Sequence, residues 1–340
     1  MKPGTSRNYQ SLIEQRKDFT AIYKSVQEDL DKVEKKLKIF CDSPNRLISE
    51  ISTYLFEKKG KRVRPALLLL CSKLTGYRGD EHILMAALVE FIHTASLIHD
   101  DIIDNADFRR GRESVHTRWG PNISVLLGDF LYIKTIALSL QSQQPQIIHI
   151  LTDISTKMIE GELTEYHMSG NLELGEKDYF DIIRNKTAAL FSASCRIGGI
   201  LGQASPEEES SLSAYGSDLG MTFQIIDDLL DFQGDEKNLG KPTLSDLSEG
   251  RITLPLIYAL NNDGNHNRGR LLELLREKKL PEESKKEILG IIRTNGALDY
   301  AYKKAEEFSL RSQINISQFP ESAHREALSL LSEFVLTRER

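Results

Sequence analysis

Two copies of one acidic signature, Asp-Asp-Ile-Ile-Asp at Asp100 to Asp104 and Asp-Asp-Leu-Leu-Asp at Asp227 to Asp231, lie inside apolar, helix-patterned stretches of this chain. On a helix the first and third aspartates of each copy are i,i+4 neighbours and the second and third are i,i+3, so each copy turns its carboxylates toward one patch of space. Like charges this close repel, and burial strengthens the repulsion. A solitary Asp-Asp-x-x-Asp is usually a solvated helix face. Here, however, Leu97, Ile98, Ile102 and Ile103 frame the first copy, and Ile225, Ile226, Leu229, Leu230 and Phe232 frame the second. Carboxylates in that setting require a cation. Oxygen-only ligands suit a hard divalent ion, and Mg²⁺ in particular binds through one or two carboxylates, waters and phosphate oxygens. The paired signatures therefore point to a metal-bound diphosphate.

A diphosphate site also needs cations from the protein. Gly60-Lys61-Arg62-Val63-Arg64-Pro65 places three of them before the apolar run Ala66 to Leu70. Glycine permits close backbone approach, lysine offers a point charge and arginine a planar fork for phosphate oxygens. Arg109-Arg110-Gly111-Arg112 follows the first aspartate signature so closely that the same helix end is expected to carry both. Lys186 with Thr187, and Gln224 one turn before Asp227, are further candidates. His93 lies two turns ahead of Asp100 on the same face; a lone histidine there is more often a core residue, but the cations beside it make it a candidate phosphate donor. His99-Asp100 also mimics the dyad of HD-type metal phosphohydrolases, although nothing marks out the further ligands such a site needs.

Of the 340 residues, 40% are hydrophobic and 28% charged, an ordinary globular balance with room for one large domain or two modest ones. No apolar run is read as approaching a membrane span, and Met1 to Asn8 lacks an apolar signal core, so a cytoplasmic protein is expected. Cys41, Cys71 and Cys195 are widely spaced and odd in number, which favours reduced, buried thiols. The net charge of -6 argues against nucleic acid as the main partner and gives no pull toward an anionic membrane. Almost every segment follows a 3.6-residue period, from Tyr9 to the last helix around Ala323 to Leu336, with no convincing strand. Short polar breaks at Cys41 to Asn45, Gly76 to Asp80, Gln141 to Pro145, Gln203 to Ser210 and Asn261 to Gly269 read as turns inside one helical array. Residues 1–8 are expected to be disordered and residues 9–340 to form a single all-α domain. The two signatures would face each other across a bundle core.

In Gly60 to Pro65, Glu90-Phe91-Ile92-His93, the block from His99 to Gly111, Gly128-Asp129, Lys186-Thr187, Gln224 to Phe232, and Gly240-Lys241-Pro242 with Ser245-Asp246, the chain resembles the trans-isoprenyl diphosphate synthases, or polyprenyl synthetases, from about residue 45 to 335. The resemblance implies an all-helical bundle around a central active-site cavity, usually as a homodimer. It implies that Asp100, Asp104, Asp227 and Asp231 hold three Mg²⁺ ions around an allylic diphosphate, with Asp101 and Asp228 as supports behind them. Arg109, Lys186, Thr187, Gln224 and Lys241 would bind the allylic diphosphate; Lys61, Arg64, His93 and Arg110 would bind isopentenyl diphosphate. The implied reaction is ionisation of the allylic substrate followed by attack of the isopentenyl alkene, with water kept out by apolar walls. The chain departs from the pattern at Lys59 and Leu244, where glycine is common, and at Arg251, where lysine is frequent. Leu244 leaves the conformation of its loop open.

Product length is legible from helix geometry. Ser96 and Ala95 stand four and five residues before Asp100, so the wall below the metals is expected to be small. The resemblance adds that short-chain members place bulky residues at these positions. The tail would then run toward Ile92, Leu88 and Val89, with Ile136 a candidate floor, and a medium- to long-chain product is expected. The alternatives are a short-chain (geranylgeranyl or farnesyl) synthase, a non-catalytic subunit of a heteromeric synthase, and a terpene cyclase. Membrane contact is expected only through the lipid product.

Overall fold

The computed structural model describes residues 22–41, 43–58, 60–233, 244–261, 267–277 and 280–338. The expected disorder of residues 1–8, the helical start at Tyr9, Lys59, Gly240-Lys241-Pro242 and part of the break after Asn261 lie outside them, as does the side chain of Cys41. The described chain is all-α apart from one short hairpin. After a 3-10 turn at Lys24–Val26 come α1 (Gln27–Cys41), α2 (Arg46–Glu57), α3 (Val63–Leu74) and α4 (Glu81–Ile103). The hairpin strands β1 (Phe108–Arg109) and β2 (Arg112–Glu113) lead into α5 (Val115–Trp119), α6 (Pro121–Ser139), α7 (Pro145–Met168) and α8 (Glu176–Ile183). A π-helical turn, Arg184–Ala188, joins α8 to α9 (Ala189–Leu201), which precedes α10 (Pro206–Gln233). The remainder is α11 (Ser245–Ser248), α12 (Leu254–Asn261), α13 (Arg268–Leu275), α14 (Glu282–Thr294), α15 (Ala297–Ser317) and α16 (Ala323–Thr337).

Local sequence explains the boundaries. Asn45 accepts from Leu47 N at 3.0 Å, Ser114 from Thr117 N and Ser322 from Arg325 N, so three helices begin on side-chain caps. Proline opens α6 and α7, where its missing N–H costs nothing. α4 stops because Asn105 takes a left-handed φ of 51° and Ala106 N–H donates to Asp101 O at 2.9 Å, closing the helix just after Asp104. Residues Ala66 to Cys71 of α3 are wholly buried, so this helix lies in the middle of the bundle, against α4, α9 and α16. One apolar cluster surrounds α3, α4 and α9; a second joins the C-terminal half of α10 to α12, α14 and α15. α10 packs on both α9 and α15, and Gly216 and Gly220 allow the closest approach to α9, since an added Cβ would sit 2.5 Å from Phe191 O and from Ala188 Cα respectively.

Three readings change. The arginine run after the first signature is not on the helix end: Arg109 pairs with Arg112 in the hairpin, and Arg110 and Gly111, at φ 53° and 73°, make its two-residue turn. Four charged residues hide a strand this short from any periodicity test. The break at Gln203 to Ser210 is narrower than expected, because Glu207 to Glu209 form the first turn of α10, where acids favour the helix dipole. Finally, α4 and α6 are long and apolar enough to cross a membrane by length and composition, against the expectation that no stretch approaches that length. The apolar window of α4 is 67% buried inside the protein, which accounts for its composition.

Candidate active site

Both aspartate signatures lie at the C-terminal ends of their helices, α4 and α10. The negative end of a helix dipole disfavours carboxylates there, so the sequence places these groups where only added positive charge stabilises them. Asp104, Asp227 and Asp228 line a polar cleft of about 210 Å³ with Arg109, Glu165, Lys186, Thr187, Gln224, Asp246 and Arg251. Asp100 lines an adjoining cavity of about 150 Å³ with Ser96, His99, Tyr132, Met158, Ile159, Leu163 and Glu162. Lys186 borders both.

The aspartates are not equivalent. Burial, with Glu162 nearby, pushes the Asp100 carboxyl up to about 7. Asp104 accepts from Arg251 Nη1 at 3.1 Å, and Asp227 from Arg338 Nη2 at 3.2 Å. Asp101 and Asp228 are buried and held by side-chain donors: Asp101 accepts from Arg109 Nε at 2.5 Å, and Asp228 from Tyr179 OH at 2.6 Å and Gln224 Nε2 at 2.8 Å. Burial raises both of their carboxyls above the usual range. Asp231 departs from the expected metal role in this structure. It is 2% exposed and accepts from Ser245 N, Ser245 Oγ and Asp246 N at 2.7 to 3.2 Å, so its oxygens cap α11 and do not line the cleft.

Leu244, the residue that left this loop open, takes the conformation glycine would: its φ is 58°, it is fully buried, and its N–H donates to Asp231 O at 3.2 Å. A left-handed leucine costs about 1 to 2 kcal/mol, offset here by a side chain in the core.

Lys186 sits in the π-helical turn, a rare element that often marks functional sites. Gly161 of α7 makes the contact possible, because a Cβ there would lie 2.7 Å from Lys186 N. The ammonium is paired with Glu162 at 2.7 Å and with Glu165. Burial works against its charge, but these carboxylates outweigh burial and hold its pKa up. Thr187 donates to Gln224 Oε1 at 2.8 Å, extending the chain Thr187, Gln224, Asp228, Tyr179. This chain orients the Gln224 amide and keeps the Thr187 oxygen near the cleft.

A second cationic group lies beside the first. Arg64 Nη1 is 3.2 Å from His93 Nε2, its guanidinium stacks 4.6 Å from the Phe191 ring, and its buried Nε has no hydrogen-bond partner among the described residues. Burial lowers Arg64 to about 10. Burial and then Arg64 push His93 well below its usual range, so it is neutral. Lys61 is also lowered, by burial and then by Arg338, and Arg110 by burial. Cations that depress one another around an unpaired buried N–H describe an anion site. Gly60 serves this group in a way the sequence did not suggest: a Cβ there would lie 2.6 Å from Arg110 Nη1, so glycine admits the guanidinium. Arg62, counted among the phosphate cations of that run, is buried in ion pairs with Glu34 at 2.5 Å and with Glu90. It takes a φ of 51°, which turns it away from its neighbours.

The expected chain-length wall is corrected in part. Ser96 lines the Asp100 cavity, but Ala95, Ile92, Leu88 and Val89 are wholly buried in core packing, and neither they nor Ile136 are among its lining residues. At about 100° per residue, position i-4 stays within about 40° of Asp100, whereas i-5 is rotated by about 140°. The cavity beside Asp100 is lined instead by Tyr132 of α6 with Met158, Ile159 and Leu163 of α7. Sequence reading missed Tyr132, Glu162, Glu165 and Arg338. The only local signal was the pair Glu162 and Glu165, three apart on α7 beside a glycine.

The donor set is oxygen-only, which fits a hard divalent ion. Among the described residues no three His, Cys, Asp or Glu side chains converge to hold a metal. A cation here therefore needs further oxygens, as Mg²⁺ does when it shares a phosphate. Cys71 and Cys195 are buried and free, as read from their spacing.

Residues 45–292 match the polyprenyl synthetase family. The chain is 34% identical over 299 residues to octaprenyl diphosphate synthase of Escherichia coli (strain K12), covering 88% of this chain and 92% of that protein. It is 36% identical over 294 residues to a short chain isoprenyl diphosphate synthase of Methanothermobacter thermautotrophicus, covering 85% and 89%. A polyprenyl synthase from Caulobacter crescentus CB15, solved in complex with calcium and isoprenyl diphosphate, superposes with a TM-score of 0.87 at 31% identity over 94% of this chain and 98% of that one.

Proposed function

Because this chain belongs to the polyprenyl synthetase family and is a prenyltransferase, we propose that it condenses isopentenyl diphosphate with an allylic diphosphate such as farnesyl diphosphate. The product is a medium- to long-chain all-trans polyprenyl diphosphate. The observation that carries this reading is the position of Lys186, which borders both the polar cleft and the cavity below Asp100, so that a diphosphate head and a hydrocarbon tail have adjoining seats.

Lys186 and Arg109 hold the allylic diphosphate in the cleft. Arg64, neutral His93, Lys61 and Arg110 hold isopentenyl diphosphate, with the Arg64 Nε and the His93 ring as donors to its oxygens. Asp100, Asp104 and Asp227 would hold three Mg²⁺ ions, and the charge of such ions would favour departure of the diphosphate. The Thr187 oxygen, oriented through Gln224, faces the positive charge that develops on the allyl group. Attack by the isopentenyl alkene forms the new C–C bond, and the released diphosphate accepts the proton. Buried Met158 and partly buried Tyr132 keep water from the cation on that side.

The small Ser96 in the cavity wall and the likeness to an octaprenyl synthase support the longer product. A homodimer belongs to the same reading. Leu126 and Ile133 on α6 and Leu140 just after it, seven residues apart, are 65 to 70% exposed, and Ile159, Leu163 and Tyr166 of α7 are 50 to 69% exposed. A second copy of the chain is the partner proposed for this apolar face.

The test is incubation of purified protein with radiolabelled isopentenyl diphosphate, farnesyl diphosphate and Mg²⁺, with products dephosphorylated and resolved by length. Products beyond four isoprene units support the reading; three or four units mean a short-chain synthase. No elongation at all would leave a non-catalytic subunit or a cyclase.

A further inference from the structure

We infer that Arg251 and Arg338 are internal counter-ions which hold Asp104 and Asp227 until metal and diphosphate arrive together, so that neither ligand binds well alone. The inference rests on the reading above that these aspartates take metal. Each arginine engages an aspartate that lines the cleft, and the two come from separate parts of the chain, the segment after α11 and the residue just after α16.

Neither is a surface side chain finding a chance partner. Arg338 is 8% exposed at its side chain although Asp227 is 41% exposed. Its guanidinium lies 3.7 Å from the centre of the Phe223 ring and donates to Phe223 O at 2.9 Å as well as to Asp227. Arg251 donates to Asp104 at 3.1 Å and Asp246 at 2.6 Å and pairs with Glu249, so three carboxylates share one guanidinium.

The charge balance then fixes the order of events. A divalent ion arriving alone must displace a guanidinium from Asp104 or Asp227, so a largely buried cation loses one of its carboxylate contacts with no anion to replace it. A diphosphate arriving alone meets arginines already paired and carboxylates that repel it. When both arrive, each carboxylate exchanges a guanidinium for the metal and each guanidinium exchanges a carboxylate for phosphate oxygens. No charge is stranded. Because such coupling is reciprocal, metal must strengthen diphosphate binding by the factor by which diphosphate strengthens metal binding.

The test uses the full chain, Mn²⁺ followed by electron paramagnetic resonance, and inorganic pyrophosphate as the probe. In the wild type, pyrophosphate should raise Mn²⁺ affinity by about tenfold or more. Arg338→Gln should bind Mn²⁺ without pyrophosphate about five- to tenfold more tightly than the wild type, and the enhancement by pyrophosphate should shrink correspondingly. Phe223→Leu, which removes the platform under Arg338, should shift both quantities in the same direction by less, and Arg338→Lys should stay near the wild type. Unchanged or weaker Mn²⁺ binding in Arg338→Gln and Phe223→Leu, with native circular dichroism, overturns the inference and leaves the prenyltransferase reading standing. Failure of the wild type to bind Mn²⁺ even with pyrophosphate overturns the metal reading and the inference together.

Discussion

Arg109 Nε donates to Asp101 Oδ1 across 2.5 Å, so the middle aspartate of the first signature faces away from the cleft and anchors the hairpin that carries Arg109. Asp101 is 3% exposed, and its burial is offset by this charge-assisted bond. Asp101→Ala should therefore raise KM for the allylic substrate by about tenfold while changing that for isopentenyl diphosphate less, since a hydrogen bond to a charged group contributes about 1.5 to 3 kcal/mol. Steady-state kinetics with each substrate varied in turn provides the check. A loss confined to the isopentenyl side would contradict this role.

Asp100→Ala and Asp227→Ala should each lower turnover by about a thousandfold or more, with the helical circular dichroism spectrum retained. Removing one of several repelling carboxylates does not weaken the fold. Near-normal rates in saturating Mg²⁺ for either variant would rule out its assignment.

The two cationic groups should separate kinetically. Arg64→Ala is expected to raise KM chiefly for isopentenyl diphosphate, and Lys186→Ala to impair chiefly the allylic substrate, each by about 10- to 100-fold. Equal effects on both substrates in both variants would contradict two distinct seats.

Product length should respond to Ser96 and Tyr132 and not in the same way to Ala95. Ser96→Phe fills the cavity and should shorten the product, whereas Tyr132→Ala opens its wall and should lengthen it. Ala95 points into the core, so Ala95→Phe should lower stability by about 1 to 3 kcal/mol through overpacking. Chromatography of dephosphorylated products, together with thermal melts, distinguishes the three outcomes.

The raised Asp100 carboxyl makes a prediction about pH. Its folded value of about 7 lies above the ordinary 3.8, so the folded protein holds a proton that the unfolded chain has released. In the metal-free protein this group's contribution to stability is greatest below pH 4 and falls as pH rises toward 7, because ionisation is disfavoured by burial. Metal competes with that proton, so Mg²⁺ added together with inorganic pyrophosphate should stabilise the protein more at pH 8 than at pH 6. Asp100→Asn should flatten both trends; thermal melts across pH 4 to 8, with and without Mg²⁺ and pyrophosphate, measure them.

The sequence alone determined what its local patterns could encode. The 3.6-residue period set the helical class, the flanks of Asp100 to Asp104 and Asp227 to Asp231 marked carboxylates that need a cation, and the resemblance assigned the surrounding cations. The resemblance also implied Asp101 and Asp228 as supports, whereas helix spacing alone put all three carboxylates of each signature on one patch. Only the tertiary structure decided which cation meets which anion. Lys186 reaches Glu162 and Glu165 across a π-helical turn, Arg338 reaches Asp227 from the end of the chain, and Tyr132 on α6 walls the cavity that Ser96 opens on α4. These pairs are far apart in sequence, so no periodicity or spacing records them. They exist because helix packing, at glycines such as Gly161, brings the side chains within reach of one another.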